Sequence, residues 1–287
     1  MKGKKWRKVL YEDQGCPDNY YETSEFLKGL KTNVNVVHYT LPQAIMGSSY
    51  LISQINVIVL FLILFELVQM EIVEFKLLFT ITIAAAIFCF LCYIQLNYHT
   101  LLSKDTVIDN LQSLLTMICL GYGFTPIIRT LTTTISTDTI YTMFFCLFIF
   151  SLVFHDYGMD APIVSRAYSL NLSLAASICL ISRLKDNPTA FCFLSLTLCC
   201  FGFWPNFRNQ IASDFPRLTP FFQSIILIPA SIACTTFISF PLTILNALIQ
   251  TFILFICPFI LVKMQHLKST IHGPWDEATI VDLQNDE

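Results

Sequence analysis

Charge is scarce in this sequence. Asp, Glu, Lys and Arg supply 13% of its 287 residues, whereas 55% are hydrophobic. Soluble domains carry about 25% charged and roughly 45–50% apolar residues. Too little polar surface remains to cover a water-soluble globule, a shortage that a lipid solvent removes. A phosphate-binding loop, a glycine-rich nucleotide fingerprint and a His/Glu metal set are also missing. No cofactor and no metal are therefore expected, and the net charge of −3 argues against a nucleic acid partner. The apolar stretches lack the period-2 alternation of barrel strands, and no internal repeat suggests a transporter built from inverted halves. Cysteine is plentiful at 11, but nearly all of it lies in apolar runs, where it packs as a small hydrophobe. Cys89 and Cys92 form a C-x-x-C string with no second ligand pair, and no disulfide framework is implied.

What is present is a series of long apolar runs. A helix needs about 20 apolar residues to cross the hydrocarbon core. Stretches free of Asp, Glu, Lys and Arg predict spans at 44–67, 77–96, 110–128, 139–154, 163–182 and 189–205. The uncharged run 218–262 is 45 residues long, enough for two helices. Pro241 is its natural break, because proline interrupts the hydrogen-bond ladder. The last spans are then 219–240 and 241–262. The fold class is all-α, a polytopic membrane bundle of about eight helices. Residues 1–43 form a polar arm and 263–287 a polar tail.

An even number of spans puts both ends on one side. That side receives thirteen Lys and Arg residues, among them Lys2–Lys8, Arg166, Arg208 and Lys263, against four (Lys76, Arg129, Arg183, Lys185) on the other. The positive-inside rule assigns the richer side to the cytosol. The long polar arm leads to the expectation that no cleaved signal peptide precedes the first span. Ser24 can cap a short helix with Phe26, Leu27, Leu30, Val34 and Val37 on one face, lying on the membrane or on a partner.

Few polar residues suggest chemistry. Ser136, Thr137 and Asp138 stand where the fourth span begins and read as a helix cap. His155 and Asp156, at its far end, are the acid–base candidates. Neighbours on a helix do not face each other, however, and a helix exit at the interface, ending at Gly158, is a sufficient explanation of the pair. Arg166, at the cytosolic edge of the fifth span, is the candidate for a phospholipid headgroup, because its planar fork suits phosphate. Snorkelling to the interface is the competing reading. Asn56, Asn171, Asn246 and Gln250 lie deep in spans, where side-chain amides commonly join helices. In the tail, Gly273-Pro274-Trp275-Asp276-Glu277 signals a turn opening a short helix. Trp6, Tyr11, Tyr20, Trp275, Asp276 and Glu277 are the partner-docking candidates. The loops on the cytosolic side are too short for a nucleotide-sugar-binding domain, which needs on the order of 100 residues.

Several strings together resemble a known family. They are Lys5-Trp6-Arg7-Lys8-Val9-Leu10-Tyr11-Glu12 with Pro17-Asp18-Asn19-Tyr20, then Tyr122-Gly123-Phe124-Thr125-Pro126, then Ser136-Thr137-Asp138-Thr139-Ile140-Tyr141. Asp156-Tyr157-Gly158, Ser169-Leu170-Asn171, Ala176-Ser177-Ile178-Cys179-Leu180 and Ile271-His272-Gly273-Pro274-Trp275-Asp276-Glu277-Ala278 follow in order. Their identity and order resemble the C subunit of phosphatidylinositol N-acetylglucosaminyltransferase, the PIG-C family, over nearly the whole chain. The resemblance implies an endoplasmic reticulum membrane subunit of the complex that transfers N-acetylglucosamine from UDP-N-acetylglucosamine to phosphatidylinositol. That reaction is the first step of GPI-anchor biosynthesis. It also implies that the nucleotide-sugar chemistry belongs to a different, catalytic glycosyltransferase subunit, and it carries over no catalytic residues. Its implied partners are the other subunits and the phosphatidylinositol of the membrane. A lipid transporter or scramblase, and a membrane-embedded lipid-modifying enzyme using His155 and Asp156, are the alternatives.

Overall fold

The computed structural model describes Gly15 and residues 30–33, 36, 38–96, 104–132, 134–157, 165–215 and 219–272. Among these, α1 (Leu41–Gln69), α2 (Phe75–Leu96), α3 (Lys104–Leu131) and α4 (Thr137–Phe154) come first. Then follow α5 (Arg166–Ile181), α6 (Asn187–Asp214), α7 (Thr219–Thr236) and α8 (Phe240–Leu267). A helix satisfies its own backbone, which is what hydrocarbon demands of any spanning segment. α1, α2, α4, α6 and α8 are long and apolar enough to cross a membrane, while α5 and Gln223–Thr236 of α7 are apolar but shorter. The architecture is that of a helical membrane bundle, with five of the described helices long and apolar enough to cross.

The chain divides into two compact units, Leu41–Phe259 and the pair of segments Met1–Thr40 and Ile260–Glu287. In the first, α1 and α6 are the most enclosed helices, whereas α2, α4 and α8 leave most of their surface open. The centre is aromatic. Phe61 and Phe65 of α1 meet Phe193 of α6 edge to face, with centroids 5.7 and 5.8 Å apart. Phe201 of α6 lies 5.5 Å from both Phe61 and Phe148 of α4. Such pairs add about 0.5–1.5 kcal/mol each beyond their area burial. α4 and α5 pack closely along a seam of small hydroxyls, Ser151 against Ser169 and Ser173.

Prolines shape two helices in the same way. Within α6, Leu198–Phe203 is a π-helical turn in which the Trp204 N–H reaches back to Cys199 O, and Pro205 follows directly. Within α8, Phe252–Ile256 repeats the pattern, with the Cys257 N–H on Phe252 O and Pro258 next. Proline removes one ladder donor, and the widened turn before it accommodates the defect. For this reason α6 does not stop at residue 205, as the apolar run predicts, but continues to Asp214. α7 ends at Thr236, and Pro241 sits in the first turn of α8.

The amides of Asn56, Asn246 and Gln250 do join helices. Gln250 Nε2 donates to Asn56 Oδ1 (2.8 Å), Asn246 Oδ1 (2.9 Å) and Ser231 Oγ (2.8 Å), linking α1, α7 and α8. The fourth amide residue, Asn171, stands exposed on α5. The Cys89 thiol of the C-x-x-C string faces the Cys199 thiol of α6.

In the second unit two short segments far apart in the sequence meet. β1 (Lys31–Thr32) pairs antiparallel with β2 (Ile271–His272). Gln265 exchanges two bonds with the Tyr39 backbone, at 2.6 and 2.8 Å, and the Asn33 side chain accepts from the Thr270 N–H at 3.0 Å. At residues 31–33 this pairing replaces the expected arm helix, because Lys31–Thr32 is extended and Asn33 turns through a positive φ of 58°; Val34 and Val37 lie outside the described residues. Its earlier positions, including Ser24, Phe26 and Leu27, lie outside the described residues.

Gln250→Leu should lower the thermal midpoint of the detergent-solubilised protein, by the weight of an interhelical amide junction, about 0.6–2 kcal/mol. An unchanged midpoint would show that the junction contributes nothing.

Candidate functional site

The densest polar cluster sits where α4 ends. Its helix starts as the sequence predicts, with Ser136 as N-cap accepting from the Thr139 N–H (3.4 Å) and Asp138 in the first turn. It stops at Phe154, and His155 follows in an extended conformation, φ −67° and ψ 142°. Extended backbone directs the His155 ring inward, where only 4% of the residue remains exposed.

Arg208 of α6 meets it there. Although the residue carries a charge, it is 1% exposed. The π turn upstream adds one residue to α6, which rotates everything after it by about 100°. Arg208 Nη2 donates to His155 Nε2 (3.0 Å), the Asp156 carbonyl (2.8 Å) and Asn209 Oδ1 (3.1 Å). Its Nε also reaches Asn209 Oδ1 at 3.2 Å, and its guanidinium lies 5.7 Å from the Tyr50 ring of α1. Asn209 Nδ2 donates to the same Asp156 carbonyl at 3.3 Å. A guanidinium can only donate. His155 Nε2 must therefore accept, which leaves the imidazole neutral with its proton on Nδ1, 3.0 Å from Ser169 Oγ. Ser169 Oγ passes its own proton toward the Ser151 carbonyl (3.0 Å). Burial first, then the charge of Arg208, push His155 down to about 3, against the raising pull of Asp156.

The sequence candidates thus separate. His155 and Asp156 do not form a pair, because the ring is held between Arg208 and Ser169 while the carboxylate turns to Arg166. Arg166 Nε donates to Asp156 Oδ2 at 2.5 Å. The Arg166 side chain is 68% exposed and that of Asp156 only 13%, so the cation sits at the edge of the cluster. Trp6, Tyr11, Tyr20, Trp275, Asp276 and Glu277 lie outside the described residues. Arg208, which the sequence offers only as one of the charges on the richer side, is the member of the cluster that sequence reasoning does not single out as a site residue. Its signal was the lack of any carboxylate three or four positions away on its own helix, so its partners had to come from elsewhere.

The opposite end of the bundle has its own arginine clasp. Arg183 Nη2 donates to the carbonyls of Thr132 (3.0 Å) and Ile135 (2.7 Å). Arg129 answers with bonds to the Leu184 and Lys185 carbonyls and to Asn187 Oδ1. These bonds tie the turn between α3 and α4 to the turn between α5 and α6.

Known proteins share this sequence pattern. A family model described as GPI2, phosphatidylinositol N-acetylglucosaminyltransferase, matches residues 6–276. The chain belongs to the GPI2 family. It is 34% identical to the C subunit of phosphatidylinositol N-acetylglucosaminyltransferase from Homo sapiens, and equally to that from Bos taurus. Each match spans 96% of this chain and 93% of the relative. The GPI2 subunit of Schizosaccharomyces pombe is 28% identical over 96% of this chain and 86% of its own. The PIG-C resemblance read from the motifs therefore holds over almost the full length. No solved structure matches.

For this GPI2-family chain, Arg208→Leu should cost at least about 2 kcal/mol, because it strands the acceptors that converge on the guanidinium. Arg208→Lys should not restore it, since an ammonium lacks the fork. Arg166→Ala should cost less than about 1 kcal/mol. Folded yield by size-exclusion profile in detergent separates the three, and equal profiles would contradict the assignment. His155 supplies a pH dependence. Its folded value lies below the unfolded 6.5, so between the two the unfolded chain binds more protons. The thermal midpoint should be highest above about pH 6.5 and fall toward pH 4. His155→Gln should flatten that slope.

Proposed function

We propose that this chain is the noncatalytic membrane subunit of the enzyme that transfers N-acetylglucosamine from UDP-N-acetylglucosamine to phosphatidylinositol, the first step of GPI-anchor biosynthesis. It sits in the endoplasmic reticulum membrane, holds the catalytic glycosyltransferase subunit and helps present the lipid. The observation that carries this reading is the family match over residues 6–276. The geometry supports it, because the buried ionisable groups at the end of α4 are committed to one another as struts. A mount for another subunit's active site requires that kind of rigidity.

In this reading all eight helices cross the bilayer and both ends face the cytosol, on the side that receives thirteen of the seventeen Lys and Arg residues. The end of α4, the start of α5 and the Arg208 segment share that side. Arg166 is the headgroup candidate. It is exposed, and among the described residues it bonds Asp156 through Nε, a geometry compatible with its terminal nitrogens meeting a phosphate diester. The terminal arms dock the partner, Trp6, Tyr11 and Tyr20 from one and Trp275, Asp276 and Glu277 from the other. The β1–β2 ladder brings the stems of those arms together.

Deleting residues 1–29 should leave the bundle folded and reduce co-purification of the catalytic subunit. Full recovery of that subunit would remove the arm from the interface. In the assembled enzyme, Arg166→Ala should raise the KM for phosphatidylinositol about threefold to tenfold, the weight of a charge-assisted hydrogen bond, with the KM for UDP-N-acetylglucosamine unchanged. An unaltered lipid dependence would discard the headgroup assignment.

A further inference from the structure

Of the deep amide residues Asn56, Asn171, Asn246 and Gln250, three are spent inside the bundle. Asn56, Asn246 and Gln250 are buried, and Gln250 joins the other two. Asn171 stands exposed on α5 and makes no side-chain hydrogen bond among the described residues. It follows the start of α5 at Arg166 and precedes its end at Ile181, by about 7.5 and 15 Å along the axis at 1.5 Å per residue. A side-chain amide carries both donors and an acceptor, and hydrocarbon answers neither. Lysine and arginine escape such depth on long stems. The single methylene of asparagine gives no such reach.

The face that presents Asn171 has the spacing of a helix-packing seam. Tyr168, Asn171, Ala175, Ile178 and Ser182 alternate gaps of three and four residues, the interval at which one helix meets another. Enclosure rises along it. Tyr168 and Asn171 are exposed, Ala175 and Ile178 are half-buried, and Ser182 Oγ accepts from Thr132 Oγ1, just past α3, at 2.6 Å. On α3 the series Leu115, Ile118, Tyr122, Thr125, Arg129 and Thr132 has the same spacing. Its later members are engaged, with Thr125 buried, Arg129 bonded to the α5–α6 turn and Thr132 bonded to Ser182. Leu115, Ile118 and Tyr122 are exposed, as is every described side chain from Gln112 to Leu120. The two seams are therefore joined at one end and open toward the other. Whatever covers the open part must offer Asn171 both a donor and an acceptor. An acyl chain offers neither, and a lipid ester only accepts. A transmembrane helix with Asn, Gln, Ser or Thr at that depth offers both, as Gln250 does within this chain when it meets Asn56 and Asn246.

We propose that the open seam receives one transmembrane helix of a partner subunit, seated along Tyr168, Asn171 and Ala175 of α5 beside Leu115 and Ile118 of α3, with a hydrogen-bonding side chain of that helix on the Asn171 amide. The inference rests on the membrane-subunit reading proposed above and adds to it a contact at membrane depth. The terminal arms would meet a partner outside the hydrocarbon, whereas this seam would meet it inside.

The test uses the assembled complex with the photoreactive residue p-benzoylphenylalanine in place of Tyr168 and, in a separate sample, in place of Phe150 on the exposed face of α4. Adducts are mapped by mass spectrometry after purification in detergent. The Tyr168 probe should capture a membrane-spanning peptide of another subunit that contains Asn, Gln, Ser or Thr, in higher yield than the Phe150 probe. Asn171→Leu should lower that adduct and the co-purification of the captured subunit about threefold to thirtyfold, the weight of an interhelical amide junction. Asn171→Gln, which keeps the amide, should retain most of both. Because Asn171 bonds no described residue, neither variant should change the size-exclusion profile of the chain alone. Adducts with lipid only, adducts with a second copy of this chain, or yields insensitive to Asn171→Leu would overturn the proposal. Product formation by the same complex keeps the two ideas apart. An active complex without a protein adduct at Tyr168 defeats the seam alone, and the expected adduct in a complex that makes no N-acetylglucosaminyl-phosphatidylinositol defeats the subunit reading alone.

Discussion

A polar group inside a membrane protein must find its partner within the protein, because hydrocarbon offers none. Arg208 is the strongest instance here. A guanidinium that is 1% exposed has to be surrounded by acceptors, and they come from the end of α4 and from its own neighbour Asn209, with the Tyr50 ring of α1 beside it. That requirement fixes where α4 ends, which way His155 turns and which tautomer it carries. Through Ser169 and Ser151 the same demand reaches the α4–α5 seam.

The same rule operates at two other levels. Midway through the bundle, Gln250 draws Asn56, Asn246 and Ser231 into one junction. At the end opposite Arg208, Arg129 and Arg183 saturate the carbonyls of facing turns. Between these polar levels the packing is aromatic and aliphatic, and contacts such as Phe61–Phe193 add cohesion without adding direction. The prolines fit this scheme. Pro205 and Pro258 each remove a backbone donor, and each is preceded by a π turn that keeps the helix continuous.

Hydropathy and charge spacing made the helices legible, since each apolar run answers to a local solvent requirement. The Ser136 cap was legible for the same reason, because capping involves residues three apart. The amides were legible as glue, but their partners were not, since Gln250 and Asn56 are 194 positions apart. The β1–β2 ladder joins residues about 240 positions apart, and a two-residue strand has no periodicity to read. His155 and Asp156 looked like a chemical pair because they are adjacent. Only the fold reveals that adjacency on an extended backbone sends the two side chains to different arginines.

The buried polar groups hold helices together, whereas the Arg166 side chain is exposed; in the proposed reading Arg166 and the terminal arms are what meets other molecules. A noncatalytic subunit of the sugar-transfer enzyme fits that division. The most direct measurement reconstitutes the purified chain alone into phosphatidylinositol vesicles, supplies UDP-N-acetylglucosamine and assays for N-acetylglucosaminyl-phosphatidylinositol. No product should form until the catalytic subunit is added. Product from this chain alone would contradict the central claim.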